Sequence, residues 1–147
     1  MNIHVRNVGG AVLGWVVMAA CVFALMAVLW MALGVDGSFR PGSWEVTAAW
    51  SFGSVVIGLL AAVAGGIVCG KVAGDNRGAL MLIVLVVVLG VANALFLQPP
   101  ATGAVRPEDV AMIEAAGSAQ PPRWLAWLNP VLGLVGILLG ARLARRE

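Results

Sequence analysis

The sequence predicts an all-α integral membrane protein built as a bundle of four membrane-spanning helices. Four long apolar stretches fill most of the 147-residue chain, and each approaches or exceeds the ~20 residues that a helix needs to cross a hydrocarbon core. The interior of every stretch is free of Asp, Glu, Lys and Arg. Hydrophobic residues make up 61% of the chain and charged residues 11%, which leaves too little polar surface for a soluble globule.

The four spans belong to one transmembrane domain that covers residues 1–147. They are placed at about 8–34, 46–70, 78–97 and 124–141. Between the first two spans, Asp36-Gly37 and Arg40-Pro41-Gly42 are turn-forming sequences, so one helix ends there before the next begins.

The third loop, about residues 98–123, is the long one, and it contains a short predicted helix. Pro107 suits a first helical position, and the carboxylates of Glu108 and Asp109 favour a first turn because they complement the helix dipole. We therefore expect a surface helix over 107–116 that lies on the membrane or on the bundle. It acts as a connector or, alternatively, as a gating lid.

Basic residues are concentrated at one end of the predicted bundle. Six lie beside the termini and in the second loop, namely Arg6, Lys71, Arg77, Arg142, Arg145 and Arg146, whereas the first and third loops contain Arg40, Arg106 and Arg123. Because Lys and Arg accumulate in cytoplasmic loops, this asymmetry predicts both termini in the cytoplasm. The predicted location is a cell inner membrane, with the first and third loops outside.

Tryptophans cluster near the outer ends of the predicted helices. The candidate interface anchors are Trp30, Trp44, Trp50, Trp124 and Trp127. An indole ring favours the headgroup boundary because the ring is apolar and its N–H needs a polar partner. The pattern predicts membrane anchoring or, alternatively, an outer docking surface for a partner.

Small residues recur at helical spacing in the second and fourth spans. The candidate packing residues are Gly58, Ala62, Gly65, Gly66, Gly70, Gly133, Gly136 and Gly140. In lipid, helices associate through close packing that small side chains permit. We expect packing inside the bundle, with the second helix touching two neighbours. A homodimer seam is the alternative.

A polar group of residues falls in the outer third of the predicted bundle. It comprises Glu45, Thr47, Ser51, Ser54, Asn93 and Asn129. Buried amides and hydroxyls in membranes usually pair across helices. The alternative is a shallow outward pocket that holds a headgroup, a quinone or a small solute.

Several classes of function are disfavoured by the residues that the spans lack. Spans without charged residues argue against proton relays and ion-coupled transport. His4 is the single histidine, and Cys21 and Cys69 are predicted at depths too different for a disulfide or a shared metal. We expect no enzyme activity, no metal, no nucleic-acid partner and no cofactor other than bound lipid.

Three stretches of the chain together resemble a known group of proteins. They are Phe39-Arg-Pro-Gly-Ser-Trp-Glu-Val46, Ala61–Gly66 with Cys69, and Trp124–Pro130 with Gly133 and Gly136. They resemble a group of small, uncharacterised four-helix bacterial inner-membrane proteins. The resemblance implies a bacterial membrane protein and carries no activity with it.

Two functions are consistent with these patterns. The first is a non-catalytic accessory or scaffold subunit that packs against a larger membrane complex, for example an energy-converting one. The second is a lipid- or small-molecule-binding membrane protein, or a small homodimeric transporter, with an outward-facing polar pocket. The expected partners are membrane lipids and a membrane protein or a second copy of the chain.

Overall fold

The computed structural model describes residues 2–73, 75–96 and 105–145. The helices in this part are α1 (Ile3–Ser38), α2 (Ala48–Ala73), α3 (Asn76–Phe96), α4 (Met112–Ser118) and α5 (Arg123–Leu143). Four of them, all except α4, are long and apolar enough to cross a membrane. The all-helical prediction is confirmed for the described residues. Three predicted features lie outside them: the end of the third span at Leu97, the loop residues 98–104, and Arg146.

The four long helices form a ring in the order α1, α2, α5, α3. Each helix packs against the next one around the ring, whereas α2 and α3 touch less than any of these pairs although a short turn joins them. Gly10 near the start of α1 lies against Ala73 at the end of α2, and Gly70 lies against Ala144. The start of α1 and the end of α5 therefore lie at one end of the ring, the termini end. The first loop and α4 lie at the other, the cap end.

Toward the termini end, α2 packs closely against both of its ring neighbours. A Cβ added to Gly66 would lie 2.5 Å from the carbonyl oxygen of Ile137 in α5. On another face of α2, a Cβ added to Gly65 would lie 2.6 Å from the carbonyl oxygen of Gly14 in α1. Because glycine has no side chain at these points, the helix backbones are in contact on both faces.

A polar contact joins the turn between α2 and α3 to α1. The buried amide of Asn7 donates through Nδ2 to Asp75 Oδ2 at 3.2 Å. Backbone N–H groups of Arg77 and Gly78 donate to Asp75 Oδ1 at 2.9 and 3.4 Å and so cap α3. Partial desolvation raises the pKa of this carboxyl group, but the three hydrogen bonds and the Arg77 charge lower it more. The net pKa of Asp75 lies below its ordinary value of 3.8.

At the cap end, the first loop folds into a tight hairpin. The N–H of Arg40 donates to the carbonyl of Glu45, and the N–H of Thr47 donates to that of Ser38, each at 2.9 Å. Gly42 takes φ of +63° in the turn, a conformation that favours glycine. The hairpin leads the chain directly from α1 into α2.

A cluster of aromatic and aliphatic side chains, the cap cluster, fills the space beneath this hairpin. Its buried members are Phe39, Trp44, Val46, Val110 and Ala115, with Trp30, Val35, Trp50 and Ala119 packed against them. The Phe39 ring is 1% exposed, and its centroid lies 6.1 Å from that of Trp30 and 5.6 Å from that of Trp44, both edge to face. Arg106 is also buried, with its guanidinium 5.8 Å from the Phe39 centroid. The cap end therefore has a hydrophobic core of its own.

The short helix of the third loop begins later than its sequence predicts. The helix expected over 107–116 is found as α4, Met112–Ser118. Preceding residues cross the hairpin instead, because the N–H of Arg106 donates to the carbonyl of Gly42 at 3.2 Å and Val110 is buried in the cap cluster. These tertiary contacts outweigh the local helix-start signal of Pro107 and the acidic residues after it.

Candidate functional site

A cleft, here called the α2–α5 cleft, lies between the cap ends of α2 and α5. Its volume is about 860 Å³, within the ~300–1,000 Å³ typical of small-molecule sites. The polar and charged residues lining it are Arg40, Glu45, Ser51, Gln120 and Arg123, and its main apolar residues are Val46, Ala48, Phe52, Val55, Trp124 and Leu128. The lining therefore combines an apolar wall with a charged rim.

The cleft forms because the small residues at the contact between α2 and α5 are followed, toward the cap end, by large ones. A Cβ added to Gly136 would lie 2.5 Å from the Cβ of Ala62, so the two helices touch there. One added to Gly58, a turn nearer the cap, would meet nothing within 4 Å. Closer still to the cap, Val55 of α2 and Leu128 of α5 line open space. The two helices therefore separate like a wedge toward the cap end.

The rim of the cleft is held by backbone hydrogen bonds. The N–H of Gln120 donates to the carbonyl of Trp44 at 2.9 Å, and the N–H of Val46 donates to that of Gln120 at 3.4 Å. These bonds join the first-loop hairpin to the segment that leads into α5. The hairpin and the start of α5 are thus tied together at the rim of the cleft.

The rim of the cleft carries more positive than negative charge. Arg40 Nη1 lies 3.0 Å from Glu45 Oε2, and both side chains are largely exposed, at 67% and 56%. Arg123 is the first residue of α5, and the preceding Pro122 supplies no side-chain cap to the helix. Two guanidinium groups and one carboxylate give the rim a formal charge of +1. It is an electropositive opening above an apolar wall.

The hydroxyl groups of the predicted polar group bond to nearby backbone. Thr47 Oγ1 donates to the carbonyl of Gly37 at 2.6 Å and accepts the N–H of Trp50 at 3.2 Å. Ser51 Oγ donates to the carbonyl of Thr47 at 3.0 Å, and Ser54 Oγ donates to that of Ser51 at 2.8 Å. Of the predicted group, only Glu45 and Ser51 line the α2–α5 cleft.

Asn93 and Asn129 lie outside the lining of the cleft, yet both are exposed. Asn93 follows Val86 by seven residues in α3, and Asn129 precedes Gly136 by seven residues in α5. Because seven residues are close to two helical turns, each asparagine lies on the same face of its helix as that packing residue. Val86 lies against Gly133 of α5, and Gly136 against α2. The polar group predicted from depth therefore does not converge on one pocket.

The predicted anchor tryptophans divide into two sets. Trp44 is buried in the cap cluster, with Trp30 and Trp50 half-buried beside it, so these three rings contact protein. Trp124 and Trp127 are exposed at 56% and 50%. Trp124 also lines the α2–α5 cleft.

The remaining predicted packing glycines lie in the seams of α5. Gly70 lies against Ala144 and Ala141, Gly133 against Val86, and Gly140 against Val63 and Ile67. Gly58 alone among the predicted packing glycines has open space where a side chain would be.

Sequence reasoning missed the residues that give the rim its charge. The sequence predicts a turn that includes Arg40 and uses both Arg40 and Arg123 as topology signals, and no pattern singles out Gln120. The available signal is that Arg40 and Arg123 each precede a cap-end tryptophan, Trp44 and Trp124, by a few residues. Within the described ranges, no group of three His, Cys, Asp or Glu side chains is arranged to hold a metal ion.

Comparison with protein families, with curated proteins and with solved structures finds no match for this chain. The resemblance to small bacterial inner-membrane proteins therefore stays a prediction, and the function is argued from the α2–α5 cleft.

Proposed function

We propose that the protein is a non-catalytic, multi-pass inner-membrane protein that binds an amphipathic molecule, a lipid or a lipid-like small molecule, in the α2–α5 cleft. The observation that supports this function is the pairing of an apolar wall with a charged rim in one cavity of about 860 Å³. An acyl chain along Phe52, Val55 and Leu128 would be shielded from water, and a polar headgroup would lie among the rim side chains.

The orientation of the cleft follows from the distribution of basic residues. With both termini in the cytoplasm, as that distribution predicts, the cleft opens on the extracytoplasmic side. A cysteine introduced at Ser43, in the hairpin, should react with a membrane-impermeant maleimide in intact cells. Labelling only after the cells are lysed would reverse the orientation.

Filling the apolar part of the cleft tests the proposed function. Val55 lines the cleft, whereas the adjacent Val56 is exposed outside it. Val55→Trp should remove the lipid that co-purifies in mild detergent, as measured by native mass spectrometry. Val56→Trp, the matched control, should retain it. Equal lipid occupancy in the two variants would contradict the proposal.

A second candidate function is that of an accessory subunit in a larger membrane assembly or in a homo-oligomer. Ile113 and Val105, apolar residues outside the four long helices, are exposed at 86% and 80%, and exposed apolar side chains of this kind support a surface for a partner chain. Ile113→Asp should break such an assembly while leaving lipid occupancy of the α2–α5 cleft unchanged. Recovery of the unmodified protein only as a solitary monomer in mild detergent would count against this candidate.

A further inference from the structure

We infer that the ligand of the α2–α5 cleft is an anionic phospholipid whose phosphate is held by Arg40 and Arg123. This inference rests on the proposed function and specifies the headgroup that the cleft accepts. Its basis is the charge of the rim together with the apolar wall below it.

The two arginines provide the donors that a phosphate needs. A guanidinium group presents several N–H donors in one plane and matches phosphate oxygens in a bidentate manner. Arg40 and Arg123 line the same cavity from different segments, the hairpin and the start of α5. A phosphate between them could accept hydrogen bonds from both.

Glu45 competes with an anionic ligand for Arg40 but does not prevent that ligand from binding. Its carboxylate lies 3.0 Å from Arg40 Nη1 and so occupies the position of a competing anion. An ion pair this exposed is weak and readily exchanged in water. Arg123 has no ion-pair partner among the residues that the structure describes. A phosphate would thus bind Arg123 directly and displace Glu45 from Arg40.

The first turn of α5 adds to the positive potential at the same place. Pro122 provides no side-chain hydrogen bond to the turn, and the N–H of Leu125 donates to the carbonyl of Pro122 at 2.9 Å. The N–H groups of Arg123 and Trp124, two residues that line the cleft, are left for a ligand at its rim. Trp124, in the same turn, suits the boundary between headgroups and acyl chains.

The apolar wall distinguishes a lipid from a soluble anion. Phe52 is 73% exposed, and together with Val55 and Leu128 it lies on membrane-spanning helices, so this wall faces hydrocarbon. The acyl chain of a lipid held at the rim would pack along the wall by dispersion contact, which a soluble anion cannot make.

The test compares two lipids with identical acyl chains, anionic phosphatidylglycerol and zwitterionic phosphatidylcholine, by native mass spectrometry of the purified protein. Both headgroups contain a phosphate, but the ammonium group of phosphatidylcholine cancels its charge and is repelled by the positive rim, so the unmodified protein should prefer the anionic lipid. Loss of either guanidinium removes the net positive charge of the rim and should lower that preference by roughly tenfold. Arg40→Gln and Arg123→Gln are the test variants. Arg142→Gln, at the termini end, is the matched control and should leave the preference unchanged.

Two further measurements sharpen the test. Glu45→Gln removes the competing carboxylate and should raise the preference for phosphatidylglycerol. Inorganic phosphate at millimolar concentration should fail to displace the lipid. Displacement by inorganic phosphate would overturn the assignment to a lipid phosphate and point to a soluble anion.

The proposed function and this inference fail in different ways. If Val55→Trp binds both lipids as well as the unmodified protein does, the proposed function fails. If Val55→Trp loses both lipids while Arg40→Gln and Arg123→Gln keep the original preference, the cleft binds amphiphiles but the phosphate assignment is overturned. Loss of the preference in both arginine variants, with retention in Arg142→Gln, is the result expected here.

Discussion

Toward the termini end, α2 meets α1 and α5 through glycines whose backbones touch, whereas toward the cap end α2 and α5 separate and a cluster of rings joins α1, the hairpin and α2. In the first region the added Cβ of Gly66 would lie 2.5 Å from a neighbouring carbonyl oxygen. In the second, Phe39 and its aromatic neighbours pack 5.6–6.1 Å apart, centroid to centroid. One region is held by close backbone contact and the other by bulky side chains.

The difference explains where a ligand site can form. Small residues allow backbones to touch and leave no volume between them. Nearer the cap end, larger side chains such as Val55 and Leu128 line open space between α2 and α5. The α2–α5 cleft lies at this transition, between the glycine seam and the cap cluster. Substitutions in one region only should show how much the glycine contacts and the aromatic cluster each contribute to stability.

The largest effect is expected from Phe39→Ala in the cap cluster. Removing a fully buried phenylalanine leaves a cavity and costs about 3–5 kcal/mol of stability, and Arg106 loses the ring beneath its guanidinium. Hydrogen exchange should increase in the hairpin and in α4 while the glycine seam stays protected. Phe23→Ala, at a side chain that is 75% exposed, is the control. Equal loss of protection at both ends would show that the two regions do not unfold separately.

A smaller, global effect is expected from Gly66→Ala in the seam. The new methyl group would meet the backbone of Ile137, which cannot rotate away, so α2 and α5 must separate. Overpacking of this kind costs about 1–3 kcal/mol, measured as a lower midpoint of unfolding in detergent titration. Gly58→Ala is the matched control on the same helix, since its methyl group meets nothing within 4 Å. A similar midpoint for both variants would contradict the packing interpretation.

The smallest effect is expected at the turn between α2 and α3. The pKa of Asp75 is lower in the folded protein than its ordinary value of 3.8, so its charged form stabilises the fold. That contribution is fully present above about pH 3.8 and is lost as the pH falls through the lower folded value. The stability difference between the unmodified protein and Asp75→Asn should therefore be constant from pH 5 to 8, by the linkage relation, and shrink in stronger acid. A difference that grew on acidification would reverse the sign of the assigned shift.

The helices were predictable from the sequence because their signal is local. Uninterrupted apolar runs must satisfy their own backbone hydrogen bonds in lipid, and a helix does this within one segment. The start of α4 was not predictable by the same route. Its position depends on Val110 entering a core made by the first loop, a contact that no pattern in the third loop announces.

The candidate site was predictable only in part. Glu45 and Ser51 were singled out as polar residues near the outer end, and both line the cleft. Asn93 and Asn129 were grouped with them by depth, but depth alone does not say which helices separate. In the sequence, Arg40 and Arg123 look like any other basic residues that set membrane topology. That they line one cavity becomes visible only in the structure, where the hairpin and α5 come together.

The backbone link between the first-loop hairpin and residue 120 has an evolutionary consequence. Main-chain N–H and carbonyl groups are common to nearly all amino acids, so these bonds persist through most substitutions at the positions they join. The opening of the α2–α5 cleft can keep its dimensions while the side chains around it change. Relatives of this protein could therefore acquire new ligand preferences by exchanging two or three surface charges, with the scaffold left as it is.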